Sequence, residues 1–188
     1  MKHVLKVARM GNPVLRRKAE PVDPAAIPSR EFQDFVDSML LTMHEYSGIG
    51  LAAPQVHKSL RVVVFHEGAG LTDGDGEPLT ALINPEVTPL TEDLRAIWEG
   101  CLSVPGLRGR VSRPERIRVT GLDRKGRAVD LELEDFDAVV TQHEFDHLDG
   151  VLYTDKVDDP TLLVFEDEFE RFWAEKAEED GDFVDDEG

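Results

Sequence analysis

Apolar residues recur along this chain with two periods. Between residues 31 and 46, Phe32, Phe35, Val36, Met39, Leu40 and Met43 fall at i, i+3, i+4, i+7, i+8 and i+11. That spacing draws one apolar stripe along a helix, and Gly48-Ile49-Gly50 ends it. Arg61-Val62-Val63-Val64-Phe65 is rich in β-branched residues and predicts a buried strand. Residues 81–84 and 87–90 predict short strands on either side of Pro85. Residues 117–122 and 128–133 alternate apolar and polar positions, and Asp123-Arg124-Lys125-Gly126 between them predicts a hairpin.

A second helix is predicted over 136–149, with Asp135 as its cap and Gly150 as its stop. Asp159-Pro160 opens a third over 160–178, with Leu162, Phe165, Phe169, Phe172 and Trp173 on one side. Residues 11–30 hold Pro13, Pro21, Pro24 and Pro28 and read as an irregular lead-in; residues 71–78 read as a Gly/Asp loop. Short strands with two main helices and an added C-terminal one predict an α+β fold. Residues 1–179 form a single domain in this reading.

Composition changes the picture at the C-terminus. The 188 residues carry a net charge of −18, which argues against recognition of nucleic acid over a broad face. Residues 157–188 contain fourteen acidic and two basic residues, so the tail supplies most of the excess. Residues 180–188 hold five acids and no base, and are expected to form a disordered, solvated tail. Cys101 is the only cysteine, so no internal disulfide can form. One thiol, no apolar run long enough for a membrane span and no signal peptide suit the cytoplasm.

The chemistry concentrates in three segments. Gln142-His143-Glu144-Phe145-Asp146-His147 contains H-E-x-x-H. On a helix, His143 and His147 lie one turn apart on one face, so both imidazoles can reach one metal, with Glu144 beside them as a base. Phe136, Val139 and Val140 fall on the same stripe, so the histidines point inward. Two core histidines bonded elsewhere are the plainer alternative. A catalytic metal site wants a third protein ligand. Asp149 and Asp155 lie downstream, and Cys101 of Glu99-Gly100-Cys101-Leu102-Ser103 lies upstream. A thiolate suits Fe, Co, Ni or Zn, although a lone cysteine is more often a small buried hydrophobe.

The third segment, Gly48-Ile49-Gly50-Leu51-Ala52-Ala53-Pro54-Gln55, fits a loose dinucleotide pattern but follows a helix and is blocked by Pro54. Asp73-Gly74-Asp75-Gly76-Glu77 hints at a calcium loop and fails at its sixth and twelfth positions.

Together, the three segments resemble the peptide deformylase family, whose motifs are G-x-G-L-A-A-x-Q, E-G-C-L-S and Q-H-E-x-D-H-L-x-G. Residues 48–55, 99–103 and 142–150 match every fixed position in order. The resemblance runs from about Val4 to Val157. It implies antiparallel strands wrapped around a central metal-binding helix. It implies that Cys101, His143 and His147 hold one divalent ion, natively Fe2+, with Zn2+, Ni2+ or Co2+ as alternatives. Glu144 is then the general acid/base, and Gln55 with the backbone N–H of Leu102 stabilises the oxyanion. The substrate is the N-formyl group on the initiator methionine of nascent chains, released as formate.

A methionine side chain needs an apolar pocket. Ile49, Gly50, Ile97, Leu102, Phe136, Val139 and Val140 are its candidates, and Arg108 is a candidate for holding substrate backbone. Glu99 and Asp146 are expected to support their neighbours. His3, His44, His57 and His66 have no spacing partner and read as bystanders.

Several bacterial members end in a basic helix that docks on the ribosome. Here that segment is acidic, so ribosome contact by that mode is not expected. An H-E-x-x-H peptidase, an inactive deformylase-like binding protein and a Cys-nucleophile hydrolase are the competing readings.

Overall fold

A computed structural model of the chain describes residues 2–67, 71–72, 76 and 78–182. The helix α1 spans Arg30–Glu45, with the Ser29 hydroxyl accepting from the Phe32 N–H at its start. Its buried stripe is Phe32, Val36, Met39 and Met43. Short strands β1 (Gly50–Ala52) and β2 (Val62–Phe65) follow. Val62 and Val64 face α1, while Val63 and Phe65 face the opposite core. The strand is buried on both faces, which is why its sequence shows no polar alternation.

Strand β3 spans Ala81–Pro89, a single element where the sequence predicts two. Its pairing shifts register between Ile83 and Glu86, and Asn84 takes a left-handed φ of 51°. Pro85 lies within that bulge, where its missing N–H costs no ladder bond. Strands β4 (Leu94–Glu99) and β5 (Leu107–Pro114) come next, neither foreseen from the sequence. The predicted hairpin forms as β6 (Arg116–Leu122) and β7 (Ala128–Glu134).

Among the described residues, the strands form two antiparallel sheets, ordered β1-β2-β3-β6-β7 and β4-β5-β8, where β8 is Leu163–Phe165. The helix α2, Asp135–Leu148, packs against strands of both sheets and is buried nearly all round. The expected wrapping of strands around the central H-E-x-x-H helix is therefore borne out. Asp135 opens α2 as its first residue, at φ 54°, and is not the side-chain cap the sequence suggested. Gly150, at φ 75°, reverses the chain after it.

The C-terminal segment departs most from expectation. Residues 160–178 are not one helix. Pro160–Leu162 is a 3-10 turn, Leu163–Phe165 adds a strand to β5, and only then do α3 (Glu166–Phe172) and α4 (Ala174–Asp180) form. The free edge of β5 offers backbone bonds that override the helical spacing. As a result Phe165 and Phe172 are exposed, while Phe169 is buried against Trp98.

The segment also stays attached further than Asp180. Gly181 ends α4 in the left-handed region, and the Asp182 carbonyl accepts from the Trp98 N–H at 2.8 Å. The Asp182 carboxylate bonds Arg110 Nε at 3.0 Å. Residues 183–188, the rest of the expected tail, lie outside the described residues, as do residues 73–75 and 77 of the acidic loop. No helix among the described residues is long and apolar enough to cross a membrane.

Candidate active site

Cys101, His143 and His147 converge on one point. Their ligand atoms all lie within 4.8 Å of one another. One turn of α2 separates the two histidines, whose rings stand edge to face at 5.0 Å. Cys101 comes from the turn that follows β4, and its Sγ lies 3.3 Å from His147 Nε2. The downstream alternatives for a third ligand are engaged at the surface: Asp149 pairs with Arg61 and Asp155 with Arg16.

The sulfur has donors aimed at it. The Gln55 side-chain amide lies 3.5 Å away, and the Ser103 backbone N–H donates at 3.4 Å. Both point at the one sulfur that could serve as a metal ligand. The amide of Gln55 is fixed at its other end, where Oε1 accepts from the Ala52 N–H at 2.7 Å. Its Nε2 therefore points at Ser103 Oγ and Cys101 Sγ.

His143 is held from behind. Its Nδ1 meets Glu99 Oε2 at 2.7 Å, which leaves Nε2 for the site. Glu99 is in turn gripped by Arg113, with Nε at 2.6 Å from one oxygen and Nη2 at 2.8 Å from the other. Burial disfavours the Glu99 charge, but this fork, with His143, holds its carboxyl down at about 2. Arg113 also donates to Asp146 at 2.7 Å, and Lys156 approaches the same carboxylate at 3.1 Å.

Sequence reasoning anticipated the support from Glu99 and Asp146 and missed Arg113. The signal was its register: Gly109, Val111 and Arg113 alternate inward on β5. Tyr153 was missed too. Its ring stacks on His143 at 6.1 Å, and its hydroxyl donates to the Leu107 carbonyl at 2.9 Å.

Glu144 is buried, and its Oε2 has no hydrogen-bond partner among the described residues. Burial pushes its carboxyl up to about 7, against the pull of His143 and Arg113. Burial likewise holds His147 well below the ordinary histidine value, in the neutral form a metal ligand needs.

A cleft of about 820 Å³ opens over this group. Ile49, Gly50, Gln55, Ile97, Leu102, Arg108, Phe136, Val139, Val140 and Glu144 all line it. Cys101 and His143 line it as well. His57, read as a bystander, stands at the cleft wall with Lys6 and Arg9. His44 and His66 face each other, their ring centres 5.0 Å apart.

A soft thiolate, two imidazoles and an unsatisfied buried carboxylate fit a divalent metal with an activated water. Fold and site together thus define a hydrolase of the H-E-x-x-H kind with a cysteine set beside the two histidines.

The family model for polypeptide deformylase matches residues 4–162. Peptide deformylase 1 of Nitrosomonas europaea is 44% identical over 155 residues, covering 81% of this chain and 87% of that protein. Peptide deformylase 3 of Streptomyces avermitilis is 44% identical over 161 residues, covering 82% and 71%. The crystal structure of peptide deformylase from Thermotoga maritima superposes with a TM-score of 0.74 at 38% identity, covering 84% of this chain and 99% of that one. The Met-Ala-Ser-bound enzyme of Acinetobacter baumannii gives a TM-score of 0.74 at 34% identity, covering 84% and 100%. The chain belongs to the polypeptide deformylase family. Its reaction is the hydrolytic removal of the N-formyl group from nascent peptides. The competing peptidase and inactive-protein readings gain no support from these relatives.

Proposed function

We propose that the residues of the cleft divide the deformylation of N-formylmethionyl peptides as follows. Cys101, His143 and His147 hold the metal. A divalent cation there supplies Lewis-acid activation of the attacking water. Glu144 takes the proton of that water as its oxygen bonds the formyl carbon. The same carboxyl then delivers that proton to the departing amine nitrogen as the C–N bond breaks, leaving a free N-terminus and formic acid, which releases the water's second proton to become formate. Gln55 Nε2 and the backbone N–H of Leu102 receive the charge that develops on the formyl oxygen, each worth about 3–4 kcal/mol in such sites. The methionine side chain enters the apolar wall of Ile49, Ile97, Phe136, Val139 and Val140. Gly50 and Arg108 hold substrate backbone.

The observation that carries this reading is the convergence of the Cys101, His143 and His147 ligand atoms within 4.8 Å, beside the unpartnered Glu144 oxygen. One thiolate and two imidazoles suit Fe2+ as the native ion, with Zn2+, Ni2+ or Co2+ as substitutes. A reducing cytoplasm suits the single thiol. The acidic C-terminal helices are a poor surface for RNA phosphate, so a ribosome contact has to use another face.

The test is metal content and formate release from formyl-Met-Ala-Ser in anaerobically purified protein. Glu144→Ala is expected to keep its metal and lose about 10²–10⁴-fold in turnover. Cys101→Ala is expected to lose metal. Metal lost in the first variant, or kept in full in the second, would reassign the donors. Activity that survives a chelator would point instead to Cys101 as a nucleophile.

A further inference from the structure

The C-terminal segment places a carboxylate in the cleft wall. Glu166 opens α3 and lines the cleft beside Arg108. Its Oε1 accepts from Arg108 Nε at 3.0 Å and lies 2.9 Å from Nη2. Backbone pairing sets this contact: Arg108 stands opposite Val164 in the β5–β8 ladder, and the Glu166 N–H donates to the Gly106 carbonyl at 3.0 Å.

On its other side the guanidinium lies against Gly100. A β-carbon there would sit 2.8 Å from Arg108 Nη1, so glycine is what lets the fork approach. Arg108 is thus clamped between Gly100 and Glu166. Its side chain is 17% exposed, while that of Glu166 is 41% exposed. The more open partner of the pair is the acid. Lys6, Arg9 and His57, the other basic side chains of the cleft besides His143, are exposed, whereas its other acids, Glu99 and Glu144, are buried.

We propose that Glu166 is a specificity-determining residue, one that sets the charge preference for the substrate residues just after the formylmethionine. The inference rests on the deformylase reading of the cleft. Glu166 neutralises Arg108 and presents an accessible carboxylate to incoming basic side chains. Without it, Arg108, Lys6 and Arg9 together favour acidic ones.

The experiment compares kcat/KM for formyl-Met-Lys-Ser and formyl-Met-Glu-Ser in the metal-loaded wild type, Glu166→Gln and Glu166→Asp. The Lys-over-Glu ratio cancels the fraction of active enzyme, so a partly loaded or less stable variant does not blur it. Glu166→Gln is expected to lower the ratio about two- to fivefold at low salt, the scale of an accessible ion pair. The drop should shrink in high salt, and Glu166→Asp, which keeps the charge, should recover most of it. An unchanged or raised ratio in Glu166→Gln overturns the proposal while formate release itself stands. A wild type that releases no formate from either peptide overturns the reading of the cleft, and this inference with it.

Discussion

The carboxylate of Glu144 occupies the space that a side chain at Gly50 would need. A β-carbon built on Gly50 falls 2.6 Å from Glu144 Oε1, 2.7 Å from its Cγ and 2.8 Å from its Cδ. Gly50 has an ordinary negative φ, so the glycine serves close approach and not a turn. It lets β1 press against α2 and sets Glu144 close to the β1 backbone. Gly50→Ala has to displace a buried carboxylate together with its Cγ. We expect kcat/KM to fall about tenfold or more, because misplacement by an ångström can cost a hundredfold. Metal content should hold. Formate release and metal analysis on one preparation decide the matter, and full activity would show that Glu144 does not need this position.

The buried Arg113 offers a second test. It is 1% exposed and bridges Glu99 to Asp146, tying β4 and β5 to α2. Arg113→Leu would leave Glu99 buried without its counter-charge, which costs about 3–5 kcal/mol in comparable sites. Because Glu99 orients His143 through Nδ1, metal affinity is expected to fall about 10–100-fold as well. Arg113→Lys should restore little of either, since an ammonium cannot reproduce the fork. Chelator competition and thermal melting read the two effects separately. A variant that melts early yet binds metal normally would confine Arg113 to a structural role.

The candidate metal site was legible because its chemistry is local: His143 and His147 are fixed by helical spacing, and Cys101 lies in a short, recognisable turn. The strand at 62–65 and the hairpin at 117–133 were legible for the same reason. What escaped the sequence is what long-range pairing decides. Charged residues interrupt β4 and β5, and β5 carries Gly109 and Pro114, so no apolar run longer than Ala96-Ile97-Trp98 announces them. The two strands exist because they pair with each other and because β5 also pairs with β8. Arg113 looks like any surface arginine until that pairing turns it inward. Leu163–Phe165 fits a helical stripe in sequence and becomes a strand only because the edge of β5 is open to it. Spacing reports local conformation well, and it is silent about which edge needs covering.

The turn of the β6–β7 hairpin depends on Asp123. Its Oδ1 accepts from the N–H groups of Lys125 at 2.7 Å and Arg127 at 2.8 Å, and Oδ2 from Arg127 Nε at 2.6 Å. Burial works against its charge, but these donors prevail and hold the carboxyl below the ordinary aspartate value. A group lowered on folding adds stability above its unfolded value and loses it as pH falls through the folded one. This contribution should therefore be complete at neutral pH and vanish only in acid, below the usual aspartate range. Asp123→Ala is expected to destabilise by about 1–3 kcal/mol at pH 7. The difference from wild type should narrow as unfolding is followed into that acid range. A difference that stays constant with pH would show that the turn does not rely on the charge.

The C-terminal boundary gives the last test, and the structure moves it. Composition alone places the solvated end at residue 180, which predicts that a chain cut after Glu179 melts like the full one. Yet the Asp182 carbonyl takes the Trp98 N–H, and its carboxylate binds Arg110. Trp98 packs on Phe169 and Trp173, with ring centres at 5.0 and 5.4 Å, so the contact closes the edge of β4 over the aromatic cluster under α3 and α4. A neutral backbone hydrogen bond contributes about 1 kcal/mol and a charged one about 1.5–3 kcal/mol, with a discount for an Arg110 side chain that is 37% exposed. Cutting after Glu179 should therefore lower Tm by about 2–8 °C relative to cutting after Asp182, taking 2–4 °C per kcal/mol for a chain of this size. Arg110→Ala in the longer chain should reproduce part of that loss. Cutting after Asp159 removes β8 and both helices and should destabilise far more. Because Ile97 and Glu99 flank Trp98 on β4, the Glu179 cut is also expected to raise KM for formyl-Met-Ala-Ser more than it lowers kcat. Identical melting curves for the Glu179 and Asp182 cuts would show that Asp182 contributes nothing to the fold and return the boundary to residue 180.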